Sequence, residues 1–200
     1  FDRITPEEAL QHPTWKMGER ITIDSATLLN KGFEVLEARW LFDLEPEKID
    51  VWIHPASIVH GFIEWNDGST TAQLSVPDMR IPIQNALCHP LRIDSRLPRC
   101  DLTEHGPLEF ERPDPRRYPC LALARRALEE GATAPAVLNA ADEVLVQAFL
   151  DHEISFPQIS ELLARVLDRR PGTGEDDLEA VLEADAWARR EAATMLANCP

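Results

Sequence analysis

Apolar and polar positions follow two periods along this chain, and the changes between them divide it. Thr5-Pro6-Glu7-Glu8 reads as a helix start: Thr caps, Pro occupies the first turn, and Glu8 reaches back to the cap amide. That helix ends before His12-Pro13, and a turn-rich segment follows to Arg20, with Trp15, Met17 and Gly18 on an expected loop. Ile21 and Ile23 suggest an extended stretch running into Asp24-Ser25, which could cap the next helix. From Ala26 to Phe42 the spacing predicts a helix whose buried stripe is Leu29, Phe33, Leu36 and Trp40. Thr27, Asn30, Lys31 and Glu34 fall on roughly the opposite side.

Period two appears next. Ile49 to Ile53 reads as a short strand, and Ser57–Trp65 and Ser69–Val76 flank the hairpin signal Asn66-Asp67-Gly68. Apolar residues fall on both faces of that hairpin, so both are expected to be covered. Helical periodicity returns weakly after Pro82, and residues 92–115, with Pro98, Pro107, Pro113 and Pro115, read as a linker. Beyond it, Leu121/Ala124/Leu128, Val137/Leu138/Ala141/Val144/Leu145/Ala148, Ile159/Leu162/Leu163/Val166 and Leu178/Val181/Leu182 mark four helices. Gly131 and Pro171-Gly172 punctuate them. The expected fold is α+β: a small mixed sheet with helices over 1–91, the linker at 92–115, and an antiparallel helical bundle over 116–200.

Composition narrows the function. Twenty basic residues against 35 acidic give a formal net charge of −15, which disfavours nucleic acid and anionic lipid as partners. No apolar run approaches the ~20 residues of a membrane span. The start at Phe1 resembles neither an initiator nor a signal peptide, so a piece of a longer protein is expected. Four scattered cysteines without a C-x-x-C pair read as reduced thiols of a cytoplasmic protein.

Candidate chemistry concentrates in Asp24-Ser25-Ala26-Thr27-Leu28-Leu29-Asn30-Lys31-Gly32-Phe33-Glu34. A capped helix N-terminus is an anion site, Asn30 and Lys31 add an amide and a positive charge, and Glu34 on the same face could bind a divalent cation. Spacing alone fits an ordinary amphipathic helix with a Lys31–Glu34 surface pair equally well.

This segment resembles the D-S-A-T-x-x-N-K-G-x-E-x-x-E-A-x-W-L-F run of 1-deoxy-D-xylulose 5-phosphate reductoisomerases. The resemblance continues in His12-Pro13-Thr14-Trp15-Lys16-Met17-Gly18, Ile53-His54-Pro55-Ala56-Ser57, Pro77-Asp78-Met79-Arg80, Tyr118-Pro119-Cys120-Leu121 and Leu138-Asn139-Ala140-Ala141-Asp142-Glu143. It covers nearly the whole chain, in order. It implies rearrangement of 1-deoxy-D-xylulose 5-phosphate and its reduction by NADPH to 2-C-methyl-D-erythritol 4-phosphate, an early step of the non-mevalonate route to isoprenoids in bacteria. A divalent cation (Mg, Mn or Co) would assist. Ser25, Asn30 and Lys31 would hold the phosphate, and His12 would touch the substrate. Glu34 would ligate the metal. Trp15 and Met17 would lie on a closing loop, and Gly18 and Met79 against the nicotinamide. His54 would lie near the site, and the family's homodimer would form through this domain. His60 reads as structural.

The resemblance also implies absences. There is no G-x-G-x-x-G, so the dinucleotide domain is expected upstream, as are two further acidic ligands and a serine-glycine-glycine phosphate loop. The chain alone is then expected to be inactive. Two other readings are a non-catalytic dimerising module and a metal-dependent phosphosugar isomerase without reduction.

Overall fold

The computed structural model describes residues 3–11, 17–172 and 177–198. Its helices are α1 (Pro6–Ala9), α2 (Glu19–Ala26), α3 (Leu29–Phe42), α4 (Arg80–Cys88), α5 (Pro119–Glu130), α6 (Ala134–Leu150), α7 (Phe156–Arg169) and α8 (Leu178–Ala197). A 3-10 turn, Pro46–Lys48, follows α3, and β1 (Val59–Glu64) pairs antiparallel with β2 (Thr70–Leu74). The α+β class expected from the sequence is borne out.

The described residues form two compact units. One combines those up to Val51 with those from Pro113 onward, and the other is Trp52–Arg112. This packing cuts across the division at 91 and 116 expected from sequence, because α2 and α3 pack directly on α5 and α6.

In the first unit the bundle core is Ala124, Leu138, Leu145, Phe149, Ile159, Leu163 and Val166 with Ala188 and Ala192 of α8. Ile23 and Leu29 join that core from α2 and α3. A second cluster, Val35, Leu36, Val51, Leu121 and Leu128, ties α3 to α5. Two capping boxes start helices here. Thr5 and Glu8 satisfy each other's amides as expected for α1, and Ser155 with Gln158 does the same for α7. Gly131, at φ 62, ends α5.

Gly32 sets the α3–α5 distance. A Cβ placed there would lie 2.4 Å from the Cβ of Ala124, an overlap that only a helix shift relieves. In a helix interior Ala is favoured over Gly by about 1 kcal/mol, whereas overpacking costs about 1–3 kcal/mol. Overpacking wins because both contacting atoms sit on rigid helices. Gly32→Ala is expected to lower the thermal midpoint by a few degrees (roughly 2–4 °C per kcal/mol for this length). A midpoint that stays or rises in a melting curve contradicts this packing.

The second unit holds the hairpin. Gly68 takes φ 82 at the turn, and the Asp67 carboxylate accepts from the Ser69 amide and hydroxyl, which holds the carboxyl below its ordinary range. Ile53 and Glu111 exchange two backbone hydrogen bonds of 2.8 and 2.9 Å. Trp52, Phe62 and Phe110 pack with centroids 5.3–6.0 Å apart.

Several sequence expectations need correction. Ile21 and Ile23 lie in helix α2, not an extended stretch, because burying Ile23 at 0% exposure outweighs β-branched propensity. Ile49–Ile53 contributes one isolated bridge and no strand. The long helix begins at Leu29, and Trp40 is 69% exposed because α3 turns Gly32 and Val35 inward with Leu29 and Leu36. Leu178 and Leu182 are likewise exposed on α8. Within this chain the hairpin faces are covered only in part: Ile58 is buried and Phe62 packs on Trp52 and Phe110, but Phe62, Ile63 and Trp65 all keep exposed surface.

Candidate functional site

The sequence Ser25-Ala26-Thr27-Leu28-Leu29 separates two helices, α2 and α3, where a single helix starting at Ala26 was expected. The Thr27 hydroxyl donates to the Asp24 carbonyl at 3.2 Å and accepts from the Leu29 amide at 3.3 Å, which ends α2 and starts α3 with one side chain. Leu28 between them sits at φ 58, a left-handed conformation that costs a branched side chain about 1–2 kcal/mol. Its side chain packs against the second cluster, which offsets that cost. Thr27 is consequently buried and leaves the polar face on which the sequence placed it.

Ser25 does not cap a helix. It lies in the last turn of α2, and its hydroxyl donates to the Ile21 carbonyl at 2.8 Å. The free helix N-terminus belongs instead to α3, where Asn30 and Lys31 occupy the first turn. Both side chains converge on one oxygen. Asn30 Nδ2 donates to Glu34 Oε1 at 3.1 Å, and Lys31 Nζ lies 2.6 Å from the same atom. Lys31 and Glu34 are about half exposed, so this is an open polar face carrying a cation, an amide and a carboxylate within one turn. Chemically it can bind an anion through Lys31 and Asn30 and offer one hard oxygen ligand.

Of the other candidates, Gly18 is the N-cap of α2, its carbonyl accepting from the Thr22 amide and hydroxyl. Among the described residues a Cβ at Gly18 would meet nothing within 4 Å. Met17 is half-buried beside it. His12 and Trp15 lie outside the described residues. Met79 and His54 belong to the second unit. Met79 is exposed as the N-cap of α4, next to Asp78, whose carboxyl is held at about 2 by the Arg80 guanidinium and amide. His54 stacks on Phe110 at 4.6 Å and its Nδ1 lies 2.7 Å from the Glu109 carbonyl. His60 contacts the Ser75 hydroxyl and carbonyl, in keeping with a structural role.

The sequence reading missed a buried polar network behind the α2–α3 turn. Arg20 Nη2 donates to Asp142 Oδ2 at 3.1 Å and to Asn139 Oδ1 at 2.8 Å, and its Nε lies 3.7 Å from Asp24 Oδ2. Arg20 Nη1 also pairs with Glu143, which shares Arg189 of α8 with Asp185. Asp24 and Asp142 are 5% and 0% exposed. Burial pushes the Asp24 carboxyl up to about 6 and raises Asp142 well above the ordinary range, with Arg20 opposing both. A signal was available: Asp142 falls on the same helix face as Leu138, Ala141 and Leu145, an acid within an apolar stripe.

Among the described residues no three His, Cys, Asp or Glu side chains are grouped to hold a metal ion, and no helix is long and apolar enough to cross a membrane.

Comparison with known proteins follows the same segments. Residues 74–191 match the family model described as DXP reductoisomerase C-terminal domain, and residues 1–42 match the 1-deoxy-D-xylulose 5-phosphate reductoisomerase C-terminal domain. The chain is 53% identical over 197 residues to the reductoisomerase of Paraburkholderia xenovorans, covering 98% of this chain and 49% of that protein. It is 52% identical over 199 residues to that of Desulforamulus reducens, covering 100% and 51%. A solved reductoisomerase in complex with NADPH, fosmidomycin and magnesium superposes with a TM-score of 0.92 at 41% identity, covering 98% of this chain and 50% of that one. The enzyme from Zymomonas mobilis in complex with NADPH gives 0.90 at 40%, with the same coverage. The chain thus spans about half the length of the curated relatives it matches.

Proposed function

The chain belongs to the 1-deoxy-D-xylulose 5-phosphate reductoisomerase family, and from that premise we propose that it is the substrate-binding half of such an enzyme. The whole protein converts 1-deoxy-D-xylulose 5-phosphate to 2-C-methyl-D-erythritol 4-phosphate with NADPH and a divalent cation (Mg, Mn or Co). The observation that carries this reading is the convergence of Asn30, Lys31 and Glu34 within one turn at the start of α3.

In this reading the substrate phosphate takes the place of Glu34 as the partner of Lys31, while Asn30 donates a neutral hydrogen bond and the first amides of α3 supply the positive end of the helix dipole. Ser25, on the adjoining turn, exchanges its bond to the Ile21 carbonyl for a phosphate oxygen. His12 contacts the sugar. Trp15 and Met17 close over it and exclude water. Gly18, with no side chain, and the exposed thioether of Met79 lie against the nicotinamide. Glu34 fits a metal as one oxygen ligand, but a hard divalent cation takes about six, so the remaining carboxylates lie outside this chain. When bound, the cation supplies Lewis-acid stabilisation of the negative charge that develops on the substrate oxygens.

The dinucleotide domain also lies outside the chain. The isolated 200-residue chain is therefore expected to show no substrate-dependent NADPH consumption by absorbance. Measured turnover by the chain alone overturns the half-site reading.

We place the protein in the bacterial cytoplasm, a reading supported by the free thiols of Cys88, Cys100 and Cys120. It is a homodimer through the hairpin region, where Phe62, Ile63 and Trp65 leave apolar surface on both faces. Sedimentation equilibrium at micromolar concentration is expected to give twice the 22.6 kDa chain mass. A strictly monomeric chain contradicts that interface.

A further inference from the structure

Two buried carboxyls, Asp24 of α2 and Asp142 of α6, converge on one guanidinium, that of Arg20. We propose that Asp24 and Asp142 share a single proton, and that this carboxyl–carboxylate pair is the positioning device that fixes the end of α2, and with it Ser25, on helix α6.

Charge and hydrogen bonding argue together. Among the described residues Arg20 is the cation that contacts both acids, yet it is also engaged by Glu143, so two buried negative charges are not neutralised. Two carboxylates in contact repel, and retaining one proton removes a charge and converts the repulsion to an O–H···O⁻ bond. The geometry of the pair points the same way. Each carboxyl directs Oδ2 toward Arg20, while Asp24 Oδ1 and Asp142 Oδ1 are buried with no hydrogen-bond partner among the described residues. Both carboxyls lie against the one Arg20 guanidinium, so a proton held between them satisfies what is otherwise orphaned. The raised proton affinity of both groups agrees with this arrangement.

Among the described residues the surrounding groups supply no competing charge balance. From α5 the pair faces the thiol of Cys120, buried and pushed up to about 12 by desolvation, hence neutral. From α6 it faces Glu143, and from α8 Arg189 reaches Glu143 and Asp185 without contacting either acid of the pair. The role of Ser25 rests on the proposed substrate site, whereas the shared proton does not.

A carboxyl whose proton affinity is raised by folding stabilises while it stays protonated, fully below its unfolded value, and loses that contribution as pH rises through the folded value. For Asp24 the window runs from about pH 4 to about pH 7. Asp142→Asn replaces the shared proton with a permanent amide donor to Asp24. Thermal midpoints of the parent chain are expected to fall by several degrees across that window, and those of Asp142→Asn by less than half as much. The overall acidic repulsion is common to both, so the difference in slope is the readout, and equal slopes overturn the proposal. Titration of 13C-labelled aspartate by NMR in the parent tests it without any variant. One carboxyl is expected to remain protonated above the ordinary range, and ordinary midpoints for every aspartate overturn it. In the full-length protein, Asp142→Leu is expected to raise KM for the sugar phosphate about tenfold with a smaller change in kcat, and Asp142→Asn to restore it. Equal KM values for parent and Asp142→Leu overturn the positioning role. Unchanged kinetics for Lys31→Ala instead removes the substrate site and leaves the shared proton standing.

Discussion

Glu34→Gln in the full-length protein is expected to reduce turnover by about a thousandfold at ordinary Mg or Mn concentrations. The change is chemically narrow. The glutamine keeps the shape of the side chain and a carbonyl oxygen that still accepts from Asn30 and Lys31, so the turn is preserved. Glu34 is half exposed, and pairs of that kind contribute about 0–1 kcal/mol, so the melting temperature should hardly move. What is lost is an anionic oxygen, the ligand that a hard divalent cation prefers. Loss of a coordination bond then shows as lost activity with retained fold, partly recovered at raised metal concentration. Steady-state rates measured over a metal titration check this. If activity and metal requirement both stay at the parent's level, Glu34 is a surface partner of Lys31 and nothing more.

The second large effect is expected at Lys31. Lys31→Ala should lower kcat/KM for the sugar phosphate about 10- to 100-fold, mainly through KM, because hydrogen bonds to charged groups are worth about 1.5–3 kcal/mol. Asn30→Ala, which removes a neutral donor, should cost about fivefold. The order follows from charge: the chain carries a net −15, and a phosphate must be drawn to Lys31 against that field. Salt provides a further check, since raising ionic strength should weaken parent binding more than binding to Lys31→Ala. A surface ion pair without a ligand predicts nearly unchanged kinetics for both variants.

How much of this was legible in the sequence depended on how many residues spoke for each element. The helices α5, α6 and α7 were plain because their apolar stripes are long and broken by Gly131 and by Pro171-Gly172. The α1 cap and the Asn66-Asp67-Gly68 turn were equally plain, since each needs only local chemistry. The α2–α3 break was not legible. No glycine or proline marks it, and Leu28 adopts a left-handed conformation only because tertiary packing holds it. The stripe on α3 was misplaced by the same cause: Gly32 counts as neutral in a hydrophobic pattern, but its missing side chain brings α5 close and rotates Trp40 outward. At the site, grouping Asn30, Lys31 and Glu34 required only helical spacing and survives intact. Ser25 and Thr27 did not keep their places, because both were argued from a helix start that lies three residues further on.

The most direct test of the account is absorbance-monitored NADPH oxidation by the full-length protein with 1-deoxy-D-xylulose 5-phosphate. Consumption is expected to require both the sugar phosphate and a divalent cation, to stop on chelation, to yield 2-C-methyl-D-erythritol 4-phosphate, and to disappear in Glu34→Gln. A folded full-length protein that consumes no NADPH with this substrate and cation, or that consumes it equally well after Glu34→Gln, contradicts it.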